Sequence, residues 1–179
     1  MSKKKKVDQK RKAQLAERTQ KESYKFQLEW ALKNKLPDIS VDDETFQAEL
    51  KVILEHGLFK GSHDLSEIIA GVKRDLEISP IDEKCSLNGS LIPYMLGITS
   101  FRPMDVDGKL IMNDPLLDKD LFKDDHLLRI DIYYDNEVRM KVYEWAKAKG
   151  YECIIMAYRP IIKLQNIRVT LQRVIVTTK

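Results

Sequence analysis

Leu128-Arg129-Ile130-Asp131-Ile132-Tyr133-Tyr134 alternates without a break, and its reading decides the fold class. Successive side chains of an extended chain point to opposite faces, so Leu128, Ile130, Ile132 and Tyr134 share one face and Arg129, Asp131 and Tyr133 the other. A strand of this kind buries one side and leaves the other open. A helix is expected directly after it, with Val138, Val142, Trp145 and Ala146 on one face and Gly150 at its end. The apolar run over residues 153–158 reads as a second, more buried strand. Strand, helix and strand in this order predict parallel neighbours in one sheet, joined by a right-handed crossover. Over residues 161–175, Ile161, Leu164, Ile167, Leu171, Val174 and Ile175 stand at helical spacing and predict a closing helix, against the preference of their β-branched members.

Upstream the period is helical. Residues 1–12 form a lysine-rich arm with no apolar period, expected to be disordered. Residues 13–36 predict one helix, in which Phe26 and Trp30, and Leu28 and Leu32, sit four apart, and Pro37 stops it. Residues 37–179 make the main domain. Its first helix is expected from an N-cap at Asp42, with Phe46, Leu50, Ile53 and Leu54 on one face and Gly57 closing it. The next is expected to open on the pair Asp64 and Glu67 and to line up Leu65, Ile68, Ile69, Val72 and Leu76. Asn88-Gly89 and Asp107-Gly108 are hairpin signals, and Pro93 admits a helix only if that helix starts just before it. The fold class is α/β, with α+β as its variant: a helix-rich N-terminal part on a small mixed sheet.

The charge is uneven. The 179 residues carry a net +3, yet residues 1–25 set Lys3, Lys4, Lys5, Lys6, Lys10, Arg11, Lys12, Arg18, Lys21 and Lys25 against Asp8, Glu17 and Glu22. That stretch is +7 and the remainder −4, so a mildly acidic body bears a basic arm. The arm can track phosphates of DNA or RNA through Lys3, Lys4, Lys5, Lys6, Lys10, Arg11 and Lys12, or serve only solubility; it has no aromatic until Tyr24. No apolar run approaches the roughly 18 residues of a membrane span, and the N-terminus lacks the apolar stretch of a secretory signal. The expectation is a soluble, cytoplasmic protein with no membrane partner. Cys85 and Cys153 have neither disulfide-scaffold nor CxxC spacing and read as buried thiols. His56, His63 and His126 are scattered, and Asp124-Asp125-His126 reads as a solvated loop.

Four segments, in order, resemble the front of the palm region of the bacterial DNA polymerase III alpha subunit, the C-family replicative polymerases. Lys84-Cys85-Ser86-Leu87-Asn88-Gly89-Ser90-Leu91-Ile92-Pro93-Tyr94-Met95-Leu96-Gly97-Ile98-Thr99 is similar to that family's phosphate-binding GPGRGSAAGSLVAYLLGIT. Leu128-Arg129-Ile130-Asp131-Ile132-Tyr133-Tyr134 is similar to its acidic strand PDIDIDF, and Glu137-Val138-Arg139-Met140-Lys141-Val142-Tyr143-Glu144-Trp145 to its ERRDEVIEYV helix. Glu49-Leu50-Lys51-Val52-Ile53 resembles its ELEVI helix start. The matches span residues 26–175.

The resemblance implies a polymerase-palm fold and a place in DNA replication, with eroded chemistry. The family holds two Mg²⁺ ions on palm aspartates. Its catalytic pair falls on Asp131 and Tyr133, and the first acid of the motif on Arg129, so one carboxylate of the pair is lost. In the phosphate-binding stretch Ser86, Gly89 and Ser90 remain and Lys84 replaces the family's arginine, while the leading glycines fall on Ile81, Glu83 and Cys85. The alternative reading of that stretch is an Asn-Gly turn into a packed helix. The implied role is a catalytically inactive binding module for DNA or for another polymerase or replisome polypeptide, or one piece of a split polymerase; Mg²⁺ enters only with residual family activity. The alternative is an unrelated α/β interaction domain with a basic nucleic-acid-binding arm. A bacterial cytoplasm or nucleoid, or a phage-infected cell, is the location this implies.

Overall fold

The computed structural model describes residues 3–81, 84–105, 107–109, 114–122 and 127–174, without the side chains of residues 3–6 and 119. The chain runs α1 (Lys3–Lys35), α2 (Glu44–Glu55), α3 (Phe59–Leu76), α4 (Leu91–Met95), two 3₁₀ turns (Pro115–Leu117 and Lys119–Phe122), β1 (Leu128–Tyr134), α5 (Arg139–Ala148), β2 (Glu152–Met156), β3 (Arg159–Leu164) and β4 (Ile167–Arg173). The architecture is α/β, with one mixed sheet in the order β1-β4-β3-β2. β1 pairs parallel with β4, and the other two pairings are antiparallel.

β1 has the expected alternation, its apolar residues buried and Arg129, Asp131 and Tyr133 turned outward. The sheet around it differs from expectation, and β2 is an exposed edge rather than the more buried strand. β1 and β2 run in the same direction but form opposite edges, because the hairpin β3–β4 lies between them. Over residues 161–175, where a helix is expected, the described chain forms most of β3 and all of β4. Ile167, Val169 and Leu171 alternate inward, Gln165-Asn166 makes the turn with Asn166 at φ 56, and β-branched side chains suit a pleated surface between two partners. Val174 follows β4, and Ile175 lies outside the described residues.

The helices bury one continuous core against the inner sheet face, joining Leu28, Leu32, Phe46, Ile53, Leu65, Ile68 and Val72 to Ile130, Ile132, Ile162, Val169 and Leu171. α1 begins at Lys3 rather than at residue 13, so the lysine-rich segment is helical. Only its C-terminal part packs, through Tyr24, Leu28 and Leu32, with Leu36 buried just past its end. Phe26 and Trp30 occupy the opposite side, 69 % and 64 % exposed. The N-cap of α2 is Asp43, one residue past expectation, its carboxylate accepting the N–H groups of Thr45 and Phe46 at 3.0 Å. α3 starts at Phe59, which leaves Asp64 inside the helix and paired with Lys60.

α5 is pinned to α3 by Trp145. Gly71 leaves room for the indole, since a Cβ there would meet the ring at 2.5 Å, and the indole N–H donates to Asp75 at 3.1 Å. Hydrogen bonds from Arg74, Trp145 and Lys149 hold the Asp75 carboxyl down at about 2. Asn88-Gly89 makes successive turns rather than a hairpin, and Pro93 sits in the first turn of α4, where a missing N–H costs nothing. Around Asp107-Gly108 the chain closes a tight loop, Asp105 N–H to the Lys109 carbonyl at 2.8 Å; residues 110–112 of that expected hairpin lie outside the described residues, as do Asp124, Asp125 and His126. Both cysteines are free and half-buried rather than fully buried. No described helix is long and apolar enough to cross a membrane.

Candidate functional site

The outward face of β1 meets the segment that precedes α4. This segment runs antiparallel along the free edge of β1, with Ile81 N–H donating to the Tyr133 carbonyl at 2.8 Å and Cys85 bridged to Ile132. Ser86 N–H donates to the Asp131 carbonyl at 3.1 Å, and Asp131 N–H donates to Ser86 Oγ at 2.9 Å. A cleft of about 370 Å³ results, lined by Lys84, Cys85, Ser86, Asp131 and Tyr133. The residues singled out in sequence as Lys84, Ser86 and Asp131 are therefore brought together. Burial, and then the Asp131 charge, outweigh the Leu87 N–H and push the Cys85 thiol up to about 11, so at neutral pH it lines the cleft as a neutral group.

Gly89 and Ser90 do not reach this cleft. Both are buried, and Ser90 Oγ donates to Asp114 Oδ1 at 2.6 Å while accepting Leu116 N–H at 3.1 Å. Four backbone donors around Gly89 are spoken for. Asn88 N–H goes to the Cys85 carbonyl and Ser90 N–H to that of Leu87, while Leu91 and Ile92 donate to the two carboxyl oxygens of Glu49 at 2.6 and 2.7 Å. Glu49 is fully buried, and an internal carboxyl thus fills the start of α4. Its pKa is raised well above the ordinary value, first by burial, then by the hydrogen bond and charge of Asp114, against the Ile92 and Leu91 N–H groups. Sequence reasoning placed Glu49 only at a helix start and gave it no role, although an acid three residues after Phe46 in an apolar stripe was the available signal. Glu83 lies outside the described residues.

Across the outward face the register sets cations side by side. Arg129 on β1 pairs with Arg168 on β4, Arg168 with Lys163 on β3, and Lys163 with Glu152 on β2, to which its ammonium bonds at 2.6 Å. The next outward row is Asp131, Thr170, Ile161 and Ile154. Beyond it stand Tyr133 beside Gln172, and Arg159 beside Met156. Gln172 Nε2 donates to Asp131 Oδ1 at 3.2 Å, which occupies one oxygen of the lone carboxylate on β1. Lys163 and Arg168 were missed because a helical reading of residues 161–175 scatters them, and Arg159 because it fell between the two expected elements; a period of two gathers them on one face.

A two-Mg²⁺ centre needs converging carboxylates. Here the strand offers Asp131 alone, between Arg129 and Tyr133, and among the described residues no three His, Cys, Asp or Glu side chains gather as a metal-holding group. The residues present do not fit that centre.

In α1 the described side chains of residues 7–20 are all exposed. Arg18, Lys21 and Lys25 pair with Glu22, Glu17 and Glu29 along the helix, whereas Lys10, Arg11 and Lys12 stand exposed toward its N-terminus. The side chains of Lys3, Lys4, Lys5 and Lys6 lie outside the described ones. The chain matches no protein-family model, and no curated protein matches it by sequence.

Proposed function

We propose that this chain is a nucleic-acid-binding module of DNA replication, similar to the front of a C-family polymerase palm and without polymerase activity of its own. The observation that carries this reading is the β1 face. Where the resembled family sets its acids, Arg129 and Tyr133 flank Asp131, and Arg129 continues in register into Arg168 and Lys163. Positive charge at that place repels metal ions and attracts phosphates. A split polymerase would need both acids of the catalytic pair on β1, and Tyr133 supplies no carboxylate. The basic length of α1 adds a second, sequence-independent attraction to DNA. A bacterial or phage-infected cytoplasm goes with this role.

A second reading, that another polymerase or replisome polypeptide docks on the chain, draws on exposed Phe26 and Trp30, four residues apart on α1. The two readings separate in one experiment. Fluorescence anisotropy with labelled DNA at two salt concentrations should show binding that weakens with salt, and removing residues 1–12 should weaken it and flatten its salt dependence. Affinity unchanged by that removal at both concentrations would refute the arm's part. No DNA binding by the intact chain would leave only the polypeptide reading.

A further inference from the structure

Resting on that reading, we infer that the outward sheet face is a track for an unpaired nucleic-acid strand, with phosphates along Arg129, Arg168 and Lys163 and a base lodged against Tyr133.

Strand spacing gives the track its scale. Neighbouring strands lie about 4.8 Å apart, so cations aligned on β1, β4 and β3 form a row across the strands rather than along one of them. A flexible phosphodiester chain can follow such a row. A rigid duplex presents its phosphates on a convex surface and meets a four-stranded face at few points. Among the described residues the charge balance of the face favours a polyanion: even with Arg129 left out, Arg168, Lys163 and Arg159 outnumber Asp131 and Glu152. Lys163 already bonds Glu152, so a phosphate there competes with an exposed carboxylate whose attraction is weak in water.

The cleft beside the row fits a base. Tyr133 forms one wall and offers a π surface, while Ser86 Oγ, which accepts Asp131 N–H, keeps its own proton to donate. Asp131 Oδ1 takes the Gln172 amide, and the base is held by the Tyr133 ring and the Ser86 hydroxyl rather than by the carboxylate. Lys84 stands at the cleft with a further cation. Duplex bases are stacked and paired and cannot enter such a cleft, whereas the bases of an unpaired strand can. None of these contacts uses a 2′ hydroxyl, so the track takes DNA and RNA alike.

The test is anisotropy on the full chain with a short oligo-dT, an abasic oligomer of equal length and a duplex of equal length. To silence α1, all are measured in a background in which Lys3, Lys4, Lys5, Lys6, Lys10, Arg11 and Lys12 are changed to Gln. The expected order is oligo-dT tightest, by roughly tenfold over the abasic chain, which is the size of one stacked base. Tyr133→Leu should remove that margin and leave abasic binding unchanged, while Tyr133→Phe, which keeps the ring, should preserve it. Arg168→Gln should weaken every single strand and lower the salt slope by about one unit. A duplex bound as tightly as oligo-dT, or a folded Tyr133→Leu variant with the margin intact, would overturn the track while leaving nucleic-acid binding in place. Absence of binding to all three probes by the unsubstituted chain as well would remove both.

Discussion

Asp131 and Ser86 hold each other twice, through Asp131 N–H to Ser86 Oγ at 2.9 Å and Ser86 N–H to the Asp131 carbonyl at 3.1 Å. Neither bond uses the Asp131 carboxylate. The residue that looks most like a catalytic acid is therefore tied structurally by its backbone, and its side chain is left to Gln172 and the cleft. Ser86→Ala should strand the half-buried Asp131 N–H and cost about 1 kcal/mol in urea unfolding, with Asp131→Asn close to neutral. A larger loss from Asp131→Asn than from Ser86→Ala would contradict this division of labour.

Buried Glu49 makes stability depend on pH. Its folded-state pKa is raised, so above the ordinary carboxyl range the folded protein binds more protons than the unfolded chain. The stabilisation linked to this group is fully present below the unfolded value of about 4.3 and is lost as pH rises through the folded value. Asp114 Oδ2 is buried without a donor, and the Glu49 proton is the one positioned to serve it. The Asp114→Asn substitution removes the neighbouring charge and should flatten the dependence, read as urea midpoints across mildly acidic to neutral pH. Glu49→Leu should cost on the order of 3 kcal/mol, since it orphans the Leu91 and Ile92 N–H groups. An equally steep dependence in the Asp114→Asn variant would show that another group is responsible.

The β2–β3 hairpin stores strain. Met156 pairs with Arg159 across a two-residue turn in which Ala157 and Tyr158 both take left-handed backbone, φ 50 and 62, where Asn-Gly is preferred. Tyr158 is also 95 % exposed and gains nothing from burial. Changing Ala157→Asn together with Tyr158→Gly should stabilise the fold by about 1 kcal/mol, raising the urea midpoint at constant slope. A lowered midpoint would mean that the tyrosine ring supports the turn in a way its exposure does not suggest.

α1 opposes its own macrodipole. Its first turn contains no acid, and Lys3 and Lys4 begin it at the positive end of the helix. A bound polyanion neutralises that repulsion. Far-UV circular dichroism should therefore show added helix on titration with inorganic polyphosphate, and the gain should vanish when Lys3, Lys4, Lys5, Lys6, Lys10, Arg11 and Lys12 are all changed to Gln. A flat titration of the unsubstituted chain would speak against α1 as an anion-binding element.

The fold was legible where one period ruled. The β1 alternation, the α2 stripe of Phe46, Leu50 and Ile53, and the Val142 and Ala146 face of α5 can be read directly because each is buried on one side only. Residues 161–171 satisfied two periods at once: Ile161, Leu164, Ile167 and Leu171 are spaced for a helix, yet the chain folds them as strands that fill the gap between β1 and β2. That choice is tertiary, since an interior strand needs partners on both edges. The candidate site was half legible for the same reason. Asp131, Lys84 and Ser86 could be named from motif order, but the cation row exists only after β4 is threaded beside β1. Glu49 could not be placed without knowing that α2 packs against the start of α4.

The most direct measurement compares the intact chain with Asp131→Asn in two assays run side by side, anisotropy with oligo-dT and primer extension with Mg²⁺ and all four deoxynucleotides. If the β1 face binds phosphates, removing its carboxylate strengthens oligo-dT binding by roughly two- to fivefold, as expected for one nearby like charge, and neither protein extends the primer. Mg²⁺-dependent extension by the intact chain that disappears in Asp131→Asn would contradict the account.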